Sequence, residues 1–136
     1  MFKVSDIHKS YNNIEVLRGV TLEIDPHRLT TIVGASGAGK TTLLQIMASL
    51  EKPDSGTVVY DNIELTKLND KALSRFRNKD IGLVFQQHRL LPEFTIVENV
   101  MMPALISGMP RSKASVLASD WLTRLGLQDR LSQRPS

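Results

Sequence analysis

The order of elements along this chain predicts a mixed α/β protein with its helices gathered at the C-terminal end. Three observations carry the prediction. Val16, Val20, Leu22 and Ile24 are apolar at mostly two-residue spacing, as in a strand with one buried face. The β-branched run Thr30-Thr31-Ile32-Val33 leads through a glycine-rich loop into an apolar pattern of helical period. Ala114, Leu117, Ala118, Trp121, Leu122 and Leu125 recur at i, i+3, i+4, i+7 spacing, the mark of an amphipathic helix.

The elements follow in order. Residues 2–10 and 15–24 read as strands, with Tyr11-Asn12-Asn13 turning the chain between them. Pro26-His27 precedes a third strand, 29–33, whose composition suits burial on both faces of a parallel sheet. The glycine loop opens a helix at about 39–50, with Leu43, Leu44, Met47 and Leu50 at helical spacing. Pro53-Asp54-Ser55-Gly56 breaks the chain, and a hairpin of 57–60 and 63–65 turns at Asp61-Asn62. A short basic helix near 71–78 leads to a strand at 81–85. Residues 87–97 read as irregular, and two helices are expected after them. Ser112 is placed to cap the last helix, and Gly126 sits where a left-handed C-cap belongs, with Leu127 able to fold back. The apolar stripe that includes Trp121 reads as core.

Composition excludes several classes. With 41% apolar and 23% charged residues the chain has enough material for a core and lacks the balance of a disordered segment. The net charge of +3 comes from 17 Lys and Arg scattered among 14 Asp and Glu, so no nucleic-acid partner is expected. The absence of cysteine removes disulfides and thiol–zinc sites and suits a reducing compartment. No run approaches the roughly 18 apolar residues of a membrane span, so any membrane role is expected to be that of a peripheral subunit.

The chemistry concentrates at VGASGAGKTTLL, residues 33–44. Gly34, followed by Ala35-Ser36-Gly37-Ala38 and then Gly39-Lys40-Thr41, matches the P-loop pattern G-x-x-x-x-G-K-[ST]. A triphosphate needs many N–H donors aimed at one place, and only a backbone nearly free of side chains curls tightly enough to supply them. The helix start behind the loop adds unsatisfied N–H groups and a partial positive charge. In this reading Lys40 reaches the β- and γ-phosphates. The Thr41 hydroxyl completes a Mg²⁺ shell of hard oxygen ligands, and Thr42 follows at the helix start. A plain glycine-rich turn explains one or two glycines. It does not explain a cation at a helix N-terminus.

With the residues that follow it, the loop resembles the nucleotide-binding domain of ABC transporters. The longer string GASGAGKTTLL carries the resemblance together with SYNNIEVLRGVTLEI (10–24), EKPDSGTVVYDNIEL (51–65), IGLVFQQHRLLPEFTIVENV (81–100) and LTRLGLQDRLSQRPS (122–136), in the family's order. Within the family, FQQHRLLPEFTIVENVMMPAL is most similar to the lipoprotein-releasing, macrolide-export and cell-division group, and LLPEFT with ENV leans toward the lipoprotein-releasing member. The resemblance implies a P-loop NTPase core with an N-terminal antiparallel β part and the start of a helical subdomain. It implies one domain over 1–136, divided into a β-rich part with the P-loop core (1–86) and the Q-loop with the start of the helical subdomain (87–136). It also implies Mg·ATP as ligand, transmembrane permease subunits as partners, pairing of two nucleotide-binding domains, and a peripheral place on the cytoplasmic face of the inner membrane.

Residue by residue, the resemblance puts Tyr11 in the aromatic position that stacks on adenine. A flat ring suits that contact, and it equally suits space-filling beside the turn. Gln86 falls on the Q-loop glutamine, an amide able to meet Mg²⁺ or the attacking water. The other role open to it is a strand-end cap. Lys40 and Gln86 are thus the expected catalytic residues of this stretch. His88 is expected to face solvent or a partner, and His8 and His27 read as surface residues with no metal-ligand spacing among them. Leu90, Leu91, Pro92 and Phe94 are read either as local packing or as a groove for a coupling helix of a membrane subunit.

The 136 residues contain no LSGGQ signature and no second acidic strand end, nor the glutamate and switch histidine that follow it in the family. The chain is therefore expected to be an N-terminal fragment, marginally stable and inactive in hydrolysis by itself. Two other functions remain open. One is a nucleotide-binding module without catalysis. The other is a P-loop small-molecule kinase, for which Arg75 and Arg77 are the lid candidates.

Overall fold

The computed structural model describes residues 1–135. They form a four-stranded antiparallel sheet and four α-helices, divided between two compact units, Met1–Arg77 and Asn78–Ser136.

In the first unit the sheet runs β2(Ile14–Ile24), β1(Phe2–Tyr11), β3(Ser55–Tyr60), β4(Ile63–Glu64). Both hairpins turn through two residues of positive φ, Asn12-Asn13 (47° and 65°) and Asp61-Asn62 (43° and 69°). Those are the dihedral signs of the tight turns whose twist matches that of the flanking strands, and Asn and Asp adopt them more readily than other non-glycine residues. β1 is bulged between Val4 and Ile7, with Asp6 at φ 51° and its N–H donating to Thr21 Oγ1 at 3.0 Å. The extra residue decides which face is buried. Val4 and Ile7, three apart, would point to opposite faces of a regular strand, yet both are fully buried. Across the bulge Gly56 lies against β1, where a Cβ would meet the Asp6 carbonyl oxygen at 2.3 Å, so no side chain fits there. Val58 and Leu17 complete the buried face of the sheet, and Phe2, Tyr60 and Phe76 stack in sequence with ring centroids 4.8 and 5.3 Å apart.

The helix after the glycine loop, α1, covers Lys40–Met47 and buries Leu43, Ile46 and Met47. It is shorter than expected. Ser49 adopts φ 56°, its N–H donates to Ile46 O at 3.0 Å, and Leu50 N–H donates to Gln45 O at 2.8 Å. This is the left-handed helix stop that glycine usually makes, here made by serine, a residue type that does not mark it. A single 3₁₀ turn over Leu65–Lys67 then leads into α2(Asp70–Asp80).

The second unit holds α3(Ile96–Ile106) and α4(Arg111–Arg124). Thr95 and Glu98 form a reciprocal capping box at the start of α3. Met101 packs with Ala114 and Ala118, bordered by Val97, Ala104, Leu105 and Met109. α4 ends as expected, with Gly126 N–H donating to Thr123 O at 3.0 Å and Leu127 N–H to Leu122 O at 2.8 Å.

Four expectations are corrected. Residues 29–33 and 81–85 form no strand, and every ladder among the described residues is antiparallel. Leu29, Val33 and Val84 are 96%, 83% and 97% exposed. A β-branched apolar run describes what a strand would bury, but a strand also needs a hydrogen-bonded neighbour, and these runs have none among the described residues. Ser112 caps nothing, because Pro110 takes the N-cap position of α4 and Ser112 is already helical. The α4 stripe divides: Ala114, Ala118 and Leu122 are buried, whereas Leu117, Trp121 and Leu125 are exposed. One row of residues at i, i+4, i+8 is enough to pack a helix as short as α3.

Candidate functional site

The site is built on the loop from Gly34 to Gly39 and the first turn of α1. Gly37 and Gly39 hold φ of 79° and 85°. Gly39 is the N-cap of α1 and offers no side chain to the free N–H groups of that turn. It is needed for space as well as conformation, since a Cβ there would lie 2.7 Å from Leu17 Cδ2 and 3.1 Å from the Val16 carbonyl oxygen. β2 thus sets how closely the loop is backed.

Lys40, the first residue of α1, folds its side chain back over the loop. Its ammonium donates to the carbonyls of Gly34 at 2.9 Å and Ala35 at 2.6 Å. Those two oxygens hold the cation at a helix start that would otherwise repel it. A cleft of about 290 Å³ opens beside it, lined by Tyr11, Val16, Gly37, Ala38, Gly39, Lys40, Thr41 and Thr42. Tyr11, 41% exposed, comes from the far end of β1. Of the residues expected at the site, the structure therefore brings Tyr11 and the segment 37–42 together. Gly34 and Ala35 take part through their carbonyls, and Ser36 lies exposed on the loop. Gln86 belongs to the second unit, exposed in the irregular segment that precedes α3.

Beside the cleft, the ammonium of Lys9 sits 5.3 Å from the Tyr11 ring centroid and pairs with Glu51 at 2.7 Å and Asp54 at 3.5 Å. The hydrogen bond to Glu51, more than any other contact, holds its pKa above the ordinary lysine value. Arg77 donates to Ser49 O at 2.9 Å and Ser49 Oγ at 3.3 Å, which ties it to the end of α1 and not to the glycine loop.

Sequence reasoning missed Val16, Lys9 and Asn99. Val16 had only its strand alternation to mark it. Asn99 clamps the irregular segment ahead of α3: its amide donates to the carbonyls of Leu91, Phe94 and Thr95 at 3.0, 3.1 and 2.9 Å and accepts from Leu91 N–H at 2.7 Å. Its neighbour Glu98 also takes Arg111 of α4 at 2.9 Å. The Thr95 backbone N–H, then Arg111, hold the Glu98 carboxyl below its ordinary pKa. The ENV tripeptide thus has a structural meaning: one residue caps, the next clamps.

The glycine loop is thus backed by β2 and crossed by the side chain of the lysine that starts α1. The model of the ABC transporter family matches residues 17–136. The chain belongs to the ABC transporter family. It is 51% identical over its whole length to the lipoprotein-releasing system ATP-binding protein LolD of Bacteroides thetaiotaomicron and 48% identical to LolD of Porphyromonas gingivalis. It covers 62% of each of those relatives. Among solved structures it matches the dimeric post-hydrolysis state of the ATP-binding cassette MJ0796 bound to ADP and Pi, with a TM-score of 0.90 and 34% identity. There it covers 99% of its own length and 62% of the other chain. The chain thus spans less than two thirds of the relatives it matches. The expected α/β cassette fold and the likeness to the lipoprotein-releasing group are both borne out. Among the described residues no helix is long and apolar enough to cross a membrane.

Proposed function

We propose that this chain forms the ATP-binding part of an ABC transporter ATPase, its two units belonging to one nucleotide-binding domain. The observation that carries the reading is the cleft that gathers Tyr11, the loop amides, Lys40 and Thr41 within one unit. The amides of 37–42 and the α1 N-terminus receive the phosphates, and the Lys40 ammonium lies close enough to exchange its loop carbonyls for phosphate oxygens. Tyr11 offers a ring to the base.

Mg²⁺ fits as an ion that arrives on the phosphates. Among the described residues no group of three or more His, Cys, Asp or Glu side chains could cage a metal, whereas Thr41 places one hard hydroxyl oxygen at the cleft. Thr41 is the residue of this cleft that would hold the ion. When bound, it neutralises charge on the phosphate oxygens.

Hydrolysis needs an oriented water and charge fixed around the transferring phosphoryl group. We assign it to a whole, paired cassette, with Gln86 orienting the water and lipoprotein release from the inner membrane as the work done. Permease subunits are the proposed partners, and the exposed Leu90, Leu91 and Phe94 are the proposed seat of a coupling helix. The 136 residues by themselves are proposed to bind Mg·ATP without turnover. The small-molecule kinase reading loses support, because Arg77 is committed to Ser49.

Calorimetry of the chain with Mg·ATP tests the reading. Lys40→Ala removes charge-assisted hydrogen bonds of roughly 1.5–3 kcal/mol and is expected to weaken binding about 10- to 100-fold. Unchanged affinity would refute the assignment.

A further inference from the structure

We propose that Lys9 is a positioning residue for the Tyr11 ring, fixing the aromatic surface that the base of a bound nucleotide would meet. The proposal rests on the reading of the cleft as a nucleotide site and adds to it a residue outside the phosphate loop.

The ammonium of Lys9 lies 5.3 Å from the centre of the Tyr11 ring, two residues along the same strand. A cation at that distance is attracted by the ring's electron-rich face. Lysine is usually too flexible to position anything, since its long stem has much rotamer freedom to lose. Here that freedom is gone. The ammonium has three N–H donors, and three acceptors surround it: Glu51 Oε1 at 2.7 Å, the Lys52 carbonyl at 2.8 Å and Asp54 Oδ1 at 3.5 Å. Its side chain is only 11% exposed.

The acceptors themselves are anchored. Asp54 Oδ2 accepts the Ser10 N–H at 2.6 Å, and the Asp54 N–H donates to the His8 carbonyl at 2.9 Å. The segment 51–54 is thereby stitched to β1 on both sides of Lys9. That segment directly follows the end of α1, whose other end is the phosphate loop. Base-side ring and phosphate-side helix are thus linked through one lysine.

A lysine that only pinned residues 51–54 would make the same ion pairs, so the test separates the two roles by ligand. Affinities of Mg·ATP and of Mg·tripolyphosphate, which carries the phosphates without a base, are measured by calorimetry on the whole chain. The variants are Lys9→Met, Lys9→Arg, Tyr11→Ala and the Lys9→Met/Tyr11→Ala double variant. Lys9→Met is expected to weaken Mg·ATP about threefold, the lower end for a cation–π contact because the Tyr11 ring is itself 41% exposed, and to leave tripolyphosphate unchanged, which also certifies a folded loop. Lys9→Arg is expected to restore ATP affinity, and the Lys9→Met loss should vanish once Tyr11 is alanine. Equal losses for both ligands, a loss that persists without Tyr11, or no loss at all would overturn the proposal. If instead Tyr11→Ala alone leaves ATP affinity intact, the base-site reading itself fails and takes this inference with it.

Discussion

Gly39 and Gly37 share a backbone conformation but not a neighbourhood, and the difference shows how the glycine loop is held. Both have φ near 80°, at 85° and 79°. Alanine at either position carries the strain of a left-handed L-residue, about 1 kcal/mol. At Gly37 nothing lies within 4 Å of the added Cβ, so that strain is the whole expected cost. At Gly39 the Cβ lands 2.7 Å from Leu17 Cδ2, 3.0 Å from Val16 Cγ1 and 3.1 Å from Val16 O. Carbon atoms sit comfortably at roughly 3.5–4.0 Å, so Leu17, only 3% exposed, must retreat or the loop must lift off β2. Overpacking of this kind costs about 1–3 kcal/mol. Gly39→Ala is therefore expected to destabilise the chain by about 2–4 kcal/mol and Gly37→Ala by about 1 kcal/mol. Urea unfolding followed by far-ultraviolet circular dichroism measures both, provided the slopes agree. Equal losses, or a larger loss at Gly37, would show that β2 does not brace the loop as described.

Two further outcomes are expected. His8 is held above its ordinary pKa, first by the hydrogen bond to Glu15 at 3.0 Å and then by Asp6 at 3.2 Å. Its contribution is fully present below the unfolded value near 6.5 and is lost as pH rises through the folded value, so the urea midpoint should fall between pH 5.5 and 8 by more in the parent chain than in His8→Gln. A midpoint difference between the two proteins that does not change with pH would contradict this. Asn99→Ala removes the clamp on residues 91–95 and is expected to cost about 2 kcal/mol and to speed proteolytic cleavage there. Asn99→Asp, which keeps the acceptor for Leu91 N–H but loses the three donated bonds, should recover little of either. A wild-type cleavage rate in both variants would show the segment to be held by something else.

What the sequence disclosed was mostly local chemistry. Asn12-Asn13 and Asp61-Asn62 announce their turns because few residues tolerate positive φ. Gly126 announces the end of α4, and the glycine loop is legible because its glycines, lysine and threonine stand at the spacing of the P-loop pattern. What depended on neighbours was not legible. Residues 29–33 have the composition of a buried strand, but composition does not supply a pairing partner. The bulge that brings Val4 and Ile7 to one face arises from a single residue out of register, invisible in a two-residue alternation. Asn99 acts through backbone carbonyls, which every residue possesses, and Lys9 through acceptors far away in the sequence, so no local side-chain pattern marks either as a clamp.

Trp121 is the only tryptophan in the chain, and it lies in the second unit, 53% exposed, with the Arg124 guanidinium 5.2 Å from its ring. The two tyrosines, Tyr11 and Tyr60, both belong to the first unit. The molecule thus carries separate intrinsic fluorophores in its two halves. Indole emission, open to a dissolved quencher such as iodide, follows one half, and the phenol bands of the near-ultraviolet spectrum follow the other. Superimposing the two melting curves reveals, without any label, whether the halves come apart in a single step.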